Sequence, residues 1–110
     1  MSDPVYLGEF EQLVLLAVLQ LGREARAAAV RGRIEEVAGR RVSRGALYAT
    51  LDRLAGKGLL DWDLEDGGAD RGGVPHRRFR VTAAGREAVR HSTSVIRELS
   101  RGLGEVLGGG

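Results

Sequence analysis

The sequence predicts a mainly α-helical fold with one small β-hairpin. Apolar residues recur at helical spacing in four segments, whereas residues 60–65 alternate between apolar and acidic and are followed by a glycine-rich stretch. The chain has 110 residues, 43% of them hydrophobic and 29% charged, which is typical of one globular domain. The absence of cysteine excludes disulfides and thiolate metal sites and suits a reducing, cytoplasmic location.

The start of the chain and its apolar runs predict neither export nor a membrane partner. Residues 1–4 lack the basic start and apolar run of a secretory signal. The longest apolar run, residues 13–19, is far too short to span a bilayer. The formal net charge is only +2, so the positions of the arginines matter more than their number.

The first predicted helix covers residues 7–21. One apolar stripe is formed by Phe10, Leu13, Val14, Ala17, Val18 and Leu21. Leu15, Leu16 and Leu19 make the opposite side apolar as well. When a helix in a small domain is apolar on two opposite sides, one side is expected to contact something beyond the domain's own core, such as a partner subunit.

Two further helices are predicted on either side of a short turn. Residues 25–37 form the first, and Gly39 ends it. After a turn at residues 40–42, Ser43 is the expected N-cap of a helix over residues 44–55. Leu47, Leu51 and Leu54 recur every three or four residues and form its inner face.

A hairpin and a last helix complete the predicted order. The strands are residues 60–65 and 76–81, joined by a flexible tip, and Trp62 is expected to pack the first strand on the body. Thr82 caps a helix that runs to about Leu107. Residues 1–82 are therefore predicted to form a winged helix-turn-helix DNA-binding domain, residues 83–107 a C-terminal dimerisation helix and residues 108–110 a frayed tail.

The outward face of the third helix is predicted to enter a DNA major groove, which is about 12 Å wide. The candidate DNA-binding residues of this segment are Ser43, Arg44, Gly45, Tyr48, Ala49 and Arg53. The small residues permit close approach, Tyr48 can donate to a phosphate, and Arg53 can reach a phosphate or a guanine edge. Arg44 lies beside the free N–H groups of the helix start, which suit a phosphate oxygen. Asp52 on the same face is expected to pair with an arginine or to accept from a cytosine amino group.

The hairpin supplies the second group of candidate DNA-binding residues: Arg71, His76, Arg77 and Arg78. Arg71 in the glycine-rich tip is expected to probe the minor groove. Strand alternation places Arg78 and Arg80 on one side, free to lie along a groove, and Arg77 on the side of Phe79.

A second copy of the chain is the other predicted macromolecular partner. The dimer interface is assigned to Phe10, Leu15, Val89, Ile96, Leu99 and Leu103, from the apolar first helix and the near-heptad spacing of the last. A two-fold dimer would match a pseudo-palindromic operator with half-sites about 34–36 Å apart. An effector site is expected between the subunits, where Tyr6 and Phe10 are the available aromatics.

The sequence resembles the PadR family of bacterial transcriptional regulators. The similarity is densest at residues 42–54 and 57–59 and resumes at residues 71–73 and 78–85. The resemblance implies a winged-helix dimer of the compact subfamily, usually a repressor, and a small aromatic or cationic effector. Two departures stand out: Arg26 and Ala27 replace a common Tyr-Gly pair, and Arg78 replaces the first of two wing aromatics.

Other functions fit the residues less well. A winged helix without DNA affinity can act as a protein-interaction module, and the modest net charge keeps this alternative open. An enzyme is not expected, because there is no nucleophile with a base, no metal triad and no phosphate-binding loop. No cofactor or metal site is predicted, since His76 and His91 are far apart and the acids of residues 61–66 form a solvated face.

Overall fold

The computed structural model of the chain describes residues 5–65 and 75–108. In this part of the chain the helices are α1 (Glu9–Leu21), α2 (Ala27–Ala38), α3 (Arg44–Gly56) and α4 (Ala83–Ser100), and a short 3-10 turn, Gly22–Glu24, precedes α2. Strands β1 (Leu60–Glu65) and β2 (His76–Val81) form an antiparallel hairpin, here called the wing. The order helix, helix, turn, helix, hairpin, helix confirms the predicted fold class.

Helix α1 lies at the centre of the domain and contacts α2, α3, α4 and β2. Val14, Leu15 and Val18 are each at most 2% exposed, and Phe10 is partly buried. Neighbouring elements of the same chain thus cover much of both apolar sides of α1, although Leu19 stays 41% exposed. The assignment of Leu15 to a dimer interface is wrong, because neighbouring elements of its own chain cover its side chain completely.

The helix-turn-helix pair forms as predicted. Gly39 adopts a left-handed conformation with φ of 68° and ends α2, as a residue without a Cβ can do at low cost. Leu47, Leu51 and Leu54 of α3 are at most 1% exposed. Burying each of these leucines contributes about 1.5–3 kcal/mol, so they fix the rotation of α3 on the core.

Helix α2 begins two residues later than predicted because the preceding segment extends the wing. The N–H of Phe79 donates to the carbonyl of Ala25 at 2.8 Å, and Arg26 forms an isolated antiparallel bridge with Arg78. Strand β2 is thus bonded on both edges. Phe79 is buried, whereas Trp62, its cross-strand partner, is 40% exposed, so Trp62 is only partly packed.

Helix α4 is shorter than predicted. Thr82 accepts from the N–H of Gly85 at 3.0 Å, as expected for an N-cap, but the helix ends at Ser100 rather than near Leu107. Gly102 follows with φ of 75°, a left-handed conformation that ends helices. The first turns of α4 belong to the core, and Val89 is 5% exposed there. The assignment of Val89 to a dimer interface is therefore corrected for the same reason as that of Leu15.

Candidate nucleic-acid interface

Helix α3 presents a polar face with small residues to solvent. Its start is fixed by Ser43, whose Oγ accepts from the N–H of Ala46 at 3.1 Å. Opposite the buried leucines, the exposed residues are Arg44, Gly45, Tyr48, Ala49, Asp52 and Arg53. Tyr48 is 42% exposed, which leaves its hydroxyl-bearing ring available to a ligand. The structure thus places all the predicted α3 residues on the outward face or at its cap.

A groove of about 540 Å³ lies between α3, the wing and the start of α2. Arg44, Tyr48, His76 and Arg77, which were predicted separately from two segments of the sequence, line this groove together. We call it the α3–wing groove. Its positive side chains and its open shape fit a polyanion better than an apolar small molecule.

The first turn of α2, residues 27–29, also lines the α3–wing groove. The N-cap residue Arg26 makes no side-chain cap, and no acidic residue occurs in this turn. The N–H groups of a first turn have no partner within the helix and carry its positive dipole end. Arg44 has no carboxylate within ion-pair distance in the described part of the chain. No sequence motif indicated this contribution, because the three alanines carry no functional group.

The outer face of the wing carries alternating opposite charges. Arg80 bonds to Asp63 at 2.9 Å and Asp61 at 3.2 Å, while Arg78 lies 3.6 Å from Asp63 and 3.8 Å from Glu65. The hydrogen bond from Arg80 lowers the pKa of Asp63, and the same bond raises the pKa of Arg80. The expectation that Arg78 and Arg80 are free to lie along a groove is corrected, because the acids of β1 neutralise them.

Arg26 adds a third cation to this charged face. It donates to Glu65, and this hydrogen bond raises the pKa of Arg26. His76 lies opposite Glu65 in the hairpin and is half-buried; its Nε2 is enclosed and has no hydrogen-bond partner among residues 5–65 and 75–108. The residue that replaces the family's usual tyrosine thus joins α2 to the wing through an ion pair.

Arg77 lies on the other face of the wing and points towards α3. Its Nη1 donates to Oδ1 of Asp52 at 3.1 Å, so Asp52 pairs with an arginine as expected. Its guanidinium carbon is 5.1 Å from the ring centroids of Trp62 and Phe79 and 5.8 Å from that of Tyr48. These contacts make Arg77 the link between the wing and α3.

A buried carboxylate that the sequence analysis missed supports the other end of α3. Oε2 of Glu11 accepts from Nζ of Lys57 at 2.8 Å and lies 3.9 Å from Nη1 of Arg53, while Oε1 accepts from the N–H of Gly8 at 2.9 Å. Burial raises the pKa of Glu11, but the bonds from Lys57 and Gly8 outweigh it, so the pKa is lowered overall. Glu11 and Lys57 are 46 residues apart, so no local pattern could reveal the pair.

A second candidate surface is apolar and lies on the distal half of α4. Ile96 is 53% exposed and Leu99 is 74% exposed, and Leu103 just beyond the helix is 38% exposed. A cavity of about 420 Å³ between this half and the N-terminal segment is lined by Tyr6 among others. Phe10 does not line this cavity. The guanidinium carbon of Arg40 lies 5.9 Å from the centroid of the Phe10 ring. The predicted Arg71 falls outside the described residues.

The described ranges contain neither a cluster of metal ligands nor a membrane-spanning helix. Within residues 5–65 and 75–108, no three His, Asp or Glu side chains group as potential metal ligands. None of the helices described there is both long and apolar enough to cross a membrane.

Comparison with known proteins places this geometry in a family. The family model described as "Transcriptional regulator PadR-like family" matches residues 15–91. "Transcriptional regulator Rv3488" of Mycobacterium tuberculosis is 44% identical over 73 residues. The aligned part is 64% of this chain and 60% of that relative's length.

Solved structures agree with the fold. A PadR family transcriptional regulator from Eggerthella lenta superposes with a TM-score of 0.66 at 28% identity, covering 93% of this chain and 88% of the other. F93 from STIV, a winged-helix DNA-binding protein, has a TM-score of 0.71 at 15% identity over 89% of this chain and 98% of its own, and it supports the fold alone. Because the family match covers most of the chain and both helices of the helix-turn-helix pair, the chain belongs to the PadR-like family of transcriptional regulators, which are not enzymes.

Proposed function

We propose that this chain binds duplex DNA as a homodimer and represses transcription. The observation that carries the proposal is the α3–wing groove, where the free face of a capped, leucine-anchored helix and Arg44 at its start border one open groove with the first turn of α2 and the wing. Gly45 and Ala49 let the α3 backbone approach base edges, and Tyr48 and Arg53 flank them. This combination of a small, exposed helix face and a neighbouring positive groove is what major-groove recognition requires.

Phosphate contacts are proposed at the start of α2 and α3. The first-turn N–H groups of α2 and the unpaired Arg44 border the same groove, so one backbone phosphate can accept from both. Arg41, two residues before the α3 N-cap, is also exposed and has no carboxylate within ion-pair distance in the described ranges. Arg78 and His76 contribute less than the sequence predicted, because Glu65 and Asp63 lie beside them.

The dimer is proposed to form through the distal half of α4. Ile96, Leu99 and Leu103 expose an apolar surface that the chain itself does not cover. Such a surface on a soluble domain marks an interaction site. A small aromatic or cationic effector is proposed at the cavity beside Tyr6, because the N-terminal segment and α4 meet there.

The proposal is tested by fluorescence anisotropy with duplex DNA from the region upstream of the chain's own coding sequence and with a shuffled duplex of equal length. We expect tighter binding to the upstream duplex and a steep loss of affinity with salt. Arg44→Ala should weaken binding to both duplexes and lower the salt slope by about one. Arg90→Ala, on α4, removes an exposed arginine whose 2.8 Å ion pair to Glu87 is far from the groove, and it serves as the matched control. Equal, salt-independent binding to both duplexes would contradict the proposal.

Oligomeric state is tested separately by analytical ultracentrifugation. Leu99→Glu places a charge on the exposed apolar surface and should give a monomer that keeps its helix content. Glu87→Gln, on the same helix but outside this surface, should remain dimeric. A Leu99→Glu protein that sediments like the unmodified chain would refute this interface.

One observation favours a second candidate function, a protein-interaction module. The acids of β1 make the outer wing face nearly neutral, which is unusual for a surface that must follow a phosphate backbone. An absence of affinity for either duplex, combined with specific capture of a protein partner by the wing, would support this alternative.

A further inference from the structure

Arg77 contacts both strands of the wing and the outward face of α3. Its guanidinium is 5.1 Å from the rings of Trp62 on β1 and Phe79 on β2, and 5.8 Å from the ring of Tyr48 on α3. It also donates to Asp52 of α3 at 3.1 Å. Its side chain is 27% exposed, less than that of any other ion-paired arginine in residues 5–65 and 75–108 except Arg26. These partners enclose the guanidinium on several sides.

The chemistry of these contacts needs an arginine rather than any cation. A planar guanidinium can lie over aromatic faces while its edge donates to a carboxylate, whereas a lysine ammonium is a compact, strongly hydrated charge. The ring contacts of Arg77 and its Nη1 donor are therefore directed at its own chain. A phosphate would have to compete with Asp52 for this guanidinium.

The two α3 partners of Arg77 are residues that the DNA-binding surface depends on. Tyr48 and Asp52 are four residues apart and so lie on one face of the helix, and both are exposed. The carboxylate of Asp52 is 65% exposed, and without a cation beside it this carboxylate would repel a phosphate backbone. Arg77 supplies that cation from the wing.

We propose that Arg77 is a positioning residue: it holds the wing against α3, orients Tyr48 and neutralises Asp52, and it does not bind a phosphate itself. The positioning role follows from contacts within one chain, and its effect on affinity rests on the proposed DNA-binding function. It differs from the role expected from the sequence, where Arg77 was a direct DNA contact.

The first test uses the free protein and the fluorescence of Trp62, the chain's single tryptophan. Arg77→Lys keeps the charge but removes the planar group, so it should move the Trp62 emission to longer wavelength about as far as Arg77→Ala does. Arg80→Lys, a matched change on the opposite face of the same strand, should leave the emission unchanged. An unaltered spectrum in both Arg77 variants would overturn the proposal, and circular dichroism confirms that each variant is folded.

The second test measures anisotropy with the upstream duplex over a range of salt concentrations. We expect Arg77→Lys, which keeps a charge but loses the ring contacts, to weaken binding by about tenfold with an unchanged salt slope. Arg77→Ala should weaken binding further, because it also leaves Asp52 without its cation. A direct phosphate contact gives the opposite result: near-normal affinity in Arg77→Lys and a slope lowered by about one in Arg77→Ala. If the unmodified protein binds no duplex, the proposed function fails, and the Trp62 spectra alone decide the position of Arg77.

Discussion

Replacing Glu11 by Gln removes one buried negative charge and should therefore lower the free energy of unfolding of the domain. Glu11 is 7% exposed, accepts from Gly8 and Lys57, and lies near Arg53. Glutamine can still accept from the N–H of Gly8, but it loses the charge that faces Lys57. Hydrogen bonds to charged groups contribute about 1.5–3 kcal/mol to stability. Because Lys57 and Arg53 are partly exposed, water replaces part of their interaction with Glu11, so we expect the free energy of unfolding to fall by roughly 1–2 kcal/mol.

The assay is unfolding in urea, followed by circular dichroism. A change in the urea midpoint reports a change in stability only if the dependence of the unfolding free energy on urea concentration stays the same in the variant. Glu9→Gln is the matched control, because Glu9 lies on the same turn and its side chain is 78% exposed beside Arg40. It should change the free energy of unfolding by at most about 0.5 kcal/mol. Glu11→Ala removes the cap as well and should cost more than Glu11→Gln.

The pH dependence of stability shows whether Glu11→Gln acts through lost charge or through altered packing. Because the pKa of folded Glu11 is lowered from its usual 4.5, the carboxylate stabilises the fold above that value. This contribution is lost as the pH falls through the lowered folded pKa. The difference in stability between the unmodified chain and Glu11→Gln should therefore shrink at acid pH. A difference that is absent at pH 7, or that persists undiminished in acid, would refute the electrostatic explanation.

Three further changes test the core, a close contact and the wing. Leu51→Ala, at a fully buried site, should cost roughly 2–5 kcal/mol in urea unfolding, and a smaller loss would mean that α3 is not anchored there. Gly85→Ala should cost roughly 1–3 kcal/mol, because an added Cβ would overlap the carbonyl of Leu59 and lie 2.6 Å from Cγ1 of Val81; an unchanged midpoint would count against this packing. Asp63→Asn leaves Arg80 with one acid fewer and should raise affinity for any duplex at low salt, whereas equal binding in an anisotropy titration would show that this face does not approach DNA.

Local sequence patterns predicted the framework of the molecule well. The three-four spacing of the α3 leucines, the Ser43 and Thr82 caps and the bounds of both strands follow from periodicity and capping, which depend on neighbours within a few residues. Three helix bounds differed from the prediction: α1 begins at Glu9 rather than at residue 7, and α2 and α4 differ for tertiary reasons. Helix α2 starts later because Ala25 bonds to β2, and α4 ends sooner because Gly102 adopts a left-handed conformation.

The charge arrangement at the site could not be predicted in the same way. Residues 76–80 contain one histidine, three arginines and no acid. Hairpin register, however, places Asp63 opposite Arg78 and Asp61 opposite Arg80. Whether a strand's cations face solvent or acids depends on that register, which the sequence of one strand does not contain. The same holds for Leu15, whose burial depends on how four elements pack around α1.

These ion pairs change which part of the molecule can attract DNA. Once Arg78 and Arg80 are matched by acids and Arg77 by Asp52, the unmatched positive groups that line the α3–wing groove are Arg44 and the first turn of α2. Few phosphate contacts per subunit give weak attraction to duplex DNA of any sequence. Tight binding would then depend on contacts made by the α3 face and on two subunits acting together, so a monomeric variant should lose far more affinity than any single wing variant.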